Sequence, residues 1–469
     1  MRYLAVDLGS TYTKLAAIDS TSASIVATAA AFTTIEHDVM DGFREAYERL
    51  QVLAGGFEYD KLLCCSSAAG GLAMVAVGLV PSLTAKAARM AAESAGAKVI
   101  RTYSYELSEA EKNEICSINP DIVLLSGGTD GGNKETLVNN ARMLCGIDRP
   151  FAVIAAGNKS AMGEVESVLR GSGKQYLITE NVMPTFGLLN IAPARACVRD
   201  IFIRRIIEAK GLSRIQEMSE YEIVPTPLAV LRACELLCRG TGDNPGIGEF
   251  MAVDLGGATT DVYSMAEGEP GLDNVMVKGL PEPFAKRTVE GDLGMRYSLP
   301  FLLEAAGAER IASEAGVGVE DVENWVEKCV ISPDTVAPED TGERLIDETL
   351  ARFAIALAVE RHCGVLERNY TPMGECFVLK GKDLTGIRKV IGVGGILVNS
   401  RNPGTMLAGA VSTHETRAAG RAMPASPEFY LDKKYIFSAM GLLGQLEPDL
   451  ALTLMMQQLQ AVPGECRVA

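Results

Sequence analysis

A chain of 469 residues is too long for one ordinary domain, and 48% hydrophobic with 22% charged residues places it among globular proteins with sizeable cores. Its formal charge of −16, from 44 basic and 60 acidic residues, repels phosphate backbones and anionic lipid, so neither nucleic acid nor a membrane surface is an expected partner. A nucleotide stays compatible with that balance, because a bound phosphate needs only local N–H groups and a nearby cation.

The chain opens directly on a strand-like run and no apolar stretch reaches membrane-spanning length, so a cytoplasmic protein is expected. Eleven cysteines are scattered without the spacing of a disulfide framework. Adjacent Cys64 and Cys65, and Cys234 and Cys238 in the helical stretch VLRACELLC, read as small buried apolar residues. The histidines His37, His362 and His414 form no pattern with cysteine, and no zinc site is expected.

In chain order, the first motif is AVDLGSTYTKL (5–15): an apolar strand, a turn of Gly and hydroxyl residues, and a departing strand. Glycine lets the backbone of such a turn approach a ligand, and successive N–H groups form an anion-binding concavity. Gly9, Ser10 and Thr11 supply the turn. Lys14 either offers charge to a β- or γ-phosphate or is a solvated surface lysine. Asp7, at the strand end, is poorly placed for a core unless something neutralises it, as a hydrated Mg²⁺ on nucleotide phosphates would.

Next, DIVLLSGGTDGGNKE (121–135) places a glycine loop after an apolar strand. Asp130 in it either orients a water or the metal shell, or stabilises the turn. The region 150–250, with PFAVIAAGN and QYLITENVMP, reads as α/β elaboration on the first half. The segment AVDLGGATTDV (252–262) then repeats the first motif, with Ala, Val, Asp, Leu and Gly coinciding in order and Thr13 matching Thr260. One Asp-x-Gly turn is commonplace. Two in the same apolar context, each opening half of a long chain, point to duplication. Asp254 then partners Asp7 around Mg²⁺, and Gly256, Gly257, Thr259 and Thr260 join the phosphate-binding set. The copies differ at one charged position, Lys14 against Asp261.

Glu290 in VEGDLG either approaches the ribose or the hydrolytic water, or caps a turn. KVIGVGGILVNS (389–400) adds Gly392, Gly394, Gly395 and Ile396, a glycine turn against which adenine and ribose can lie. The final run KYIFSAMGLLGQLEPDLALTLMMQQL has helical apolar spacing broken near Pro448, and its Met440, Met455 and Met456 read as core or as a partner groove. Duplication predicts two related domains, 1–245 and 246–425, each presenting one hairpin to a shared cleft, with 426–469 as a C-terminal helical segment.

DLGSTYTK resembles the first phosphate motif, DLGGATTD the second and IGVGGIL the adenosine motif of the actin, hexokinase and heat-shock-chaperone superfamily, in that superfamily's order. The resemblance implies an α/β fold of two actin-like (ribonuclease H-like) ATPase domains flanking a cleft with Mg-ATP or Mg-ADP at its base. DIVLLSGGTDGGNKE, ENVMPTFGLLNIAPAR (180–195), RTVEGDLGMRYS (287–298) and FYLDKKYIFSAMGLLGQLEPDLAL (429–452) resemble the glutamate mutase L family. That narrower resemblance implies an ATP-dependent reactivating or accessory protein whose partners are subunits of adenosylcobalamin-dependent mutases, glutamate (methylaspartate) mutase being the namesake. Two other readings keep the fold. A small-molecule kinase needs a carboxylate base in a polar acceptor pocket; an iron–sulfur activator needs cysteines placed to hold a cluster, for which Cys234 and Cys238 are the candidates.

Overall fold

A computed structural model describes residues 1–33, 38–67, 73–208, 212–272, 274–372 and 374–463; His37 and residues 464–469 of the expected C-terminal segment lie outside the described residues. Side-chain alternation along the two repeated strands decides where the halves meet. In Arg2–Leu8, Leu4, Val6 and Leu8 enter one core while Tyr3 and Ala5 enter another. In Phe250–Leu255, Met251, Val253 and Leu255 enter a core of their own, while Phe250 and Ala252 join Tyr3 and Ala5. The period of two therefore gives each strand one private face and one shared face. Asp7 and Asp254 have the parity of the shared face.

The expected α/β class is observed, and the duplication shows in the strand order. One five-stranded sheet runs Val224–Pro225, Lys61–Ser66, Arg2–Leu8, Tyr12–Asp19, Ser24–Phe32. The six-stranded sheet runs Ala285–Glu290, Thr260–Met265, Phe250–Leu255, Lys389–Val393, Glu428–Asp432, Leu459–Val462. In each, the repeated strand pairs antiparallel with its hairpin mate, which pairs antiparallel with a third strand, and parallel with a later strand on its other side. A second five-stranded sheet, all parallel, uses Ala73–Gly78, Lys98–Ser104, Ile122–Leu125, Ala152–Ala155 and Tyr176–Ile178. A three-stranded sheet of Val275–Val277, Val365–Thr371 and Gly374–Lys380 completes the set.

Two helices cross on the shared face, which Pro448–Gln458 also joins. Thr226–Arg239 starts with Pro227 in its first turn, where a missing N–H does no harm, and ends at Gly240. Phe437–Leu443 crosses it, and the shared core combines Ala229, Ala233 and Leu237 of the first helix with Phe437 and Met440 of the second. The crossing is close because Gly441 has no side chain: a Cβ there would stand 1.8 Å from the Ala229 carbonyl oxygen.

The segment 426–463 is helical only in part. Its helices Phe437–Leu443 and Pro448–Gln458 break before Pro448 as the spacing predicts, but Glu428–Asp432 and Leu459–Val462 are strands of the six-stranded sheet. Glu428–Asp432 acquires strand geometry by pairing with Lys389–Val393, and Leu459–Val462 by pairing with Glu428–Asp432 in turn, contacts without local signal. Met440 and Met455 are buried in the shared core, which is the packing role, whereas Met456 is 38% exposed. Among the described residues no helix is long and apolar enough to cross a membrane.

Because the Gly441 contact is with backbone, which cannot rotate away, Gly441→Val should destabilise the protein by about 3 kcal/mol or more. Thermal denaturation followed by circular dichroism checks this. An unchanged melting temperature would remove the close crossing from the account.

Candidate functional site

The two hairpins adopt the same turn. The Gly9 N–H donates to the Tyr12 carbonyl at 3.1 Å, and at the equivalent place the Gly256 N–H donates to the Thr259 carbonyl at 3.0 Å. The turns meet across a cleft of about 620 Å³ lined by Asp7, Gly9, Ser10, Thr11 and Lys14 from one hairpin and by Asp254, Gly256, Gly257 and Thr259 from the other. They are close together: a Cβ on Gly257 would stand 2.8 Å from Thr11 Oγ1. That hydroxyl is buried with no hydrogen-bond partner among the described residues, leaving a donor for something that enters the cleft.

Asp7 is 4% exposed and its oxygens are well held. Thr226 Oγ1 donates to Oδ1 at 2.7 Å and Ser438 Oγ to Oδ2 at 3.0 Å, so the first turns of both crossing helices end on this carboxylate. Cys65 Sγ lies 3.5 Å from Oδ1, and Lys14, directly across the hairpin, stands 3.5 Å from Oδ2. The Lys14 ammonium also lies 3.5 Å from the centre of the Tyr435 ring. Burial works against that ammonium, but Tyr435, Asp7 and Asp254 outweigh it and hold its pKa above the ordinary lysine value.

In the second hairpin the residue across from Asp254 is Asp261. Like charges facing across a ladder destabilise it, and Arg287 supplies the remedy. Its Nη2 stands 2.6 Å from Asp261 Oδ1, and its Nη1 donates to the Glu93 and Ala97 carbonyls at 3.2 and 3.3 Å. The Glu93 carbonyl is in the last turn of the helix Lys86–Ser94, where the dipole favours a cation, and Ala97 follows just beyond it. Asp254 accepts from the Tyr435 hydroxyl at 3.3 Å. Burial raises its carboxyl to about 6, with Asp261 and Asp7 adding to the shift and Lys14 opposing it.

The expected adenosine loop divides. Gly395 and Ile396 line the cleft, whereas Gly392 is packed under Leu431, Leu397 and Leu407, and Gly394, at φ 121°, lets the chain pass the Leu255 carbonyl, 2.4 Å from where its Cβ would sit. Thr260 also turns inward. The pleat buries it completely, and its hydroxyl donates to the Leu293 carbonyl, so Thr259 alone of that pair reaches the cleft.

Asp130 and Glu290 are not among the lining residues. Asp130 fastens its own glycine loop by accepting from the Lys159 N–H and the Asn181 amide at 3.0 Å each. Glu290 is held by Arg361 at 2.8 Å. Cys234 and Cys238 sit in the shared core, with burial raising both thiols, an unsuitable state for cluster ligands, which are thiolates.

Sequence reasoning missed several lining residues. Arg296 grips Asp347 through both nitrogens at 3.1 and 3.2 Å, and Arg344, Thr335 and Asn399 lie in the same wall region as the glycine loop or face the cleft with it. Tyr435 and Ser438 stand within the family string FYLDKKYIFSAMG, which was the only sign of them. Among the described lining residues there are seven Lys and Arg against five Asp, the reverse of the balance in the chain as a whole.

The comparisons agree with these strings. The family model described as MutL protein matches residues 3–459. Protein MutL of Clostridium tetanomorphum is 48% identical over 462 residues, covering 98% of this chain and 99% of that relative. Among solved structures, ligand-bound xylulose kinase from Lactobacillus acidophilus is 10% identical with a TM-score of 0.34, covering 98% of this chain and 93% of its own. A glycerol dehydratase reactivase is 12% identical with a TM-score of 0.34, covering 95% and 100%. Those two likenesses are loose, and membership rests on the two sequence matches. The chain belongs to the MutL protein family.

Proposed function

We propose that this chain is an ATP-binding, ATP-hydrolysing accessory protein that reactivates an adenosylcobalamin-dependent mutase of the glutamate mutase type. The observation that carries the nucleotide part is the meeting of two equivalent glycine turns, each following a strand-end aspartate, across one cleft. Family membership supports the client part.

The residues present fit Mg-nucleotide. Asp7 and Asp254 are the carboxylates that would hold the water shell of Mg²⁺, which supplies neutralisation of phosphate charge when bound. Gly9 and Gly256 shape the turns through their own N–H bonds, Ser10, Thr11, Gly257 and Thr259 offer N–H and hydroxyl donors to β- and γ-phosphates, and Lys14 adds a cation. Gly395 and Ile396 offer a wall for adenosine. Hydrolysis then needs an aligned water and charge compensation more than covalent help. In this reading 1–245 and 246–425 are the two halves, and 426–469 joins them. ATP and ADP favour different arrangements, and the mutase binds the two unequally.

A kinase would need a carboxylate free to take the acceptor's proton. Of the five lining aspartates, Asp254, Asp261 and Asp347 are held by Tyr435, Arg287 or Arg296, Asp7 accepts from Thr226 and Ser438, and the fifth is Asp334, between Pro333 and Thr335.

Purified protein given Mg-ATP should release phosphate and restore an inactivated mutase, and Asp7→Asn or Asp254→Asn should slow phosphate release by about 100-fold. Wild-type protein that does neither sinks the proposal.

The Asp254 carboxyl, raised to about 6, is protonated and uncharged below that pH. Since a metal shell needs the ionised form, Mg-ATP affinity should strengthen as pH rises from about 5 to about 7 and level off above. Lys14→Met removes a cation that favours the carboxylate, so its midpoint should lie higher. Calorimetric titration at several pH values reads both, and a flat profile for wild type would separate Asp254 from the metal.

A further inference from the structure

Tyr435 touches both hairpins at once. Its backbone lies in the left-handed region at φ 54°, which a bulky aromatic residue adopts only where the surroundings hold it. Its ring lies against the Lys14 ammonium, 3.5 Å from Nζ to ring centre, and its hydroxyl donates to Asp254. Around it the turn is fixed at both ends. Asp432 accepts the Phe437 N–H at 2.8 Å, and Ser438 donates to Asp7. The segment 432–438 thus reaches Lys14, Asp254 and Asp7, and continues into the helix that crosses Thr226–Arg239.

The Lys14–Asp7 separation is the informative distance. At 3.5 Å it is longer than a direct ammonium–carboxylate hydrogen bond of about 2.8 Å, although the two residues face each other across the ladder. An aromatic face attracts a cation strongly where water is scarce, and here it competes with the carboxylate for the ammonium.

We propose that Tyr435 is a positioning residue: its ring keeps Lys14 from closing on Asp7, so that the carboxylate stays available to the water shell of Mg²⁺ and the ammonium faces the phosphates. This rests on the Mg-nucleotide reading of the cleft. Without the ring, Lys14 contracts onto Asp7, and a carboxylate neutralised by lysine is a poor host for a metal shell. The Mg-dependent part of nucleotide affinity then falls, while the part measured without Mg²⁺ does not.

The test uses the full chain and ADP, with the ratio of dissociation constants measured without and with Mg²⁺. Tyr435→Asn removes the ring while tolerating the left-handed backbone, and should lower that ratio about tenfold. Tyr435→Phe keeps the ring and should stay within about threefold of wild type. Adding Lys14→Met to Tyr435→Asn should restore the ratio, a rescue that a merely structural role would not give. Apo melting temperatures report folding, and if Tyr435→Asn does not fold, Tyr435→Gly takes its place. A wild-type ratio in the ring-less variant, a Phe variant as low as it, or no rescue overturns the assignment. Wild-type protein that binds no ADP in either condition overturns the cleft reading and this assignment with it; wild-type binding with unchanged variants overturns the assignment alone.

Discussion

A carboxylate at the end of a buried strand must find donors or lose its charge, and the way Asp7 meets that demand organises the centre of the molecule. Its partners come from separate parts of the chain: the Lys14 charge across the hairpin, and as donors Cys65 from the neighbouring strand, Thr226 at the start of one crossing helix and Ser438 near the start of the other. Hydrogen bonds to a charged group contribute about 1.5–3 kcal/mol each, so shifting either helix relative to the first hairpin is resisted at this point. The apolar packing of Ala229, Phe437 and Met440 supplies the bulk of the cohesion between the halves. Asp7 makes that packing directional, because it ties the packing to the floor of the cleft.

The second hairpin solves the same problem differently. Asp254 and Asp261 face each other where the first copy has Asp7 and Lys14. Arg287 compensates one of them and reaches onward to the carbonyl end of the helix Lys86–Ser94, while Lys86 pairs with Glu282 at 2.6 Å. These ion pairs flank the apolar shared core, and the Arg287–Asp261 pair is itself buried, so breaking it would leave an uncompensated charge.

How much of this was legible in the sequence follows from the range of each interaction. The hairpins were legible because strand, turn and strand are local and the pattern occurs twice. The break at Pro448 was legible for the same reason. Thr260, expected among the phosphate-binding residues, opens the strand Thr260–Met265 with its side chain on a buried face, where the hydroxyl donates to the Leu293 carbonyl. Gly392, likewise, belongs to the strand Lys389–Val393 and not to the turn that follows. The contacts of Arg287, Arg296, Tyr435 and Ser438 could not be found by spacing, since each joins segments far apart in the chain. The two strands of the C-terminal segment were hidden for a related reason, because short runs take strand geometry from their partners.

The charge distribution bears on what the cleft selects. A chain with a formal charge of −16 presents a repulsive field to any polyanion, and long polymers cannot avoid it. A small anion that enters the cleft meets the opposite balance, with Lys14, Lys98, Arg287, Arg296, Arg344, Lys433 and Lys434 among the lining residues. Much of that positive charge is already paired: Arg296 with Asp347, Arg287 with Asp261, Arg344 with Glu348 and Glu339. Paired guanidinium groups serve as fixed dipoles and wall, not as mobile counterions. What distinguishes the hairpin end is that Asp7 and Asp254 lie there beside Lys14, so a ligand that brings its own divalent cation gains from both signs at once. A bare phosphate at the hairpin end gains from Lys14 and the turn donors but is opposed by two carboxylates. On the proposed Mg-nucleotide reading, the hairpin end therefore favours the metal complex of an anion over the free anion.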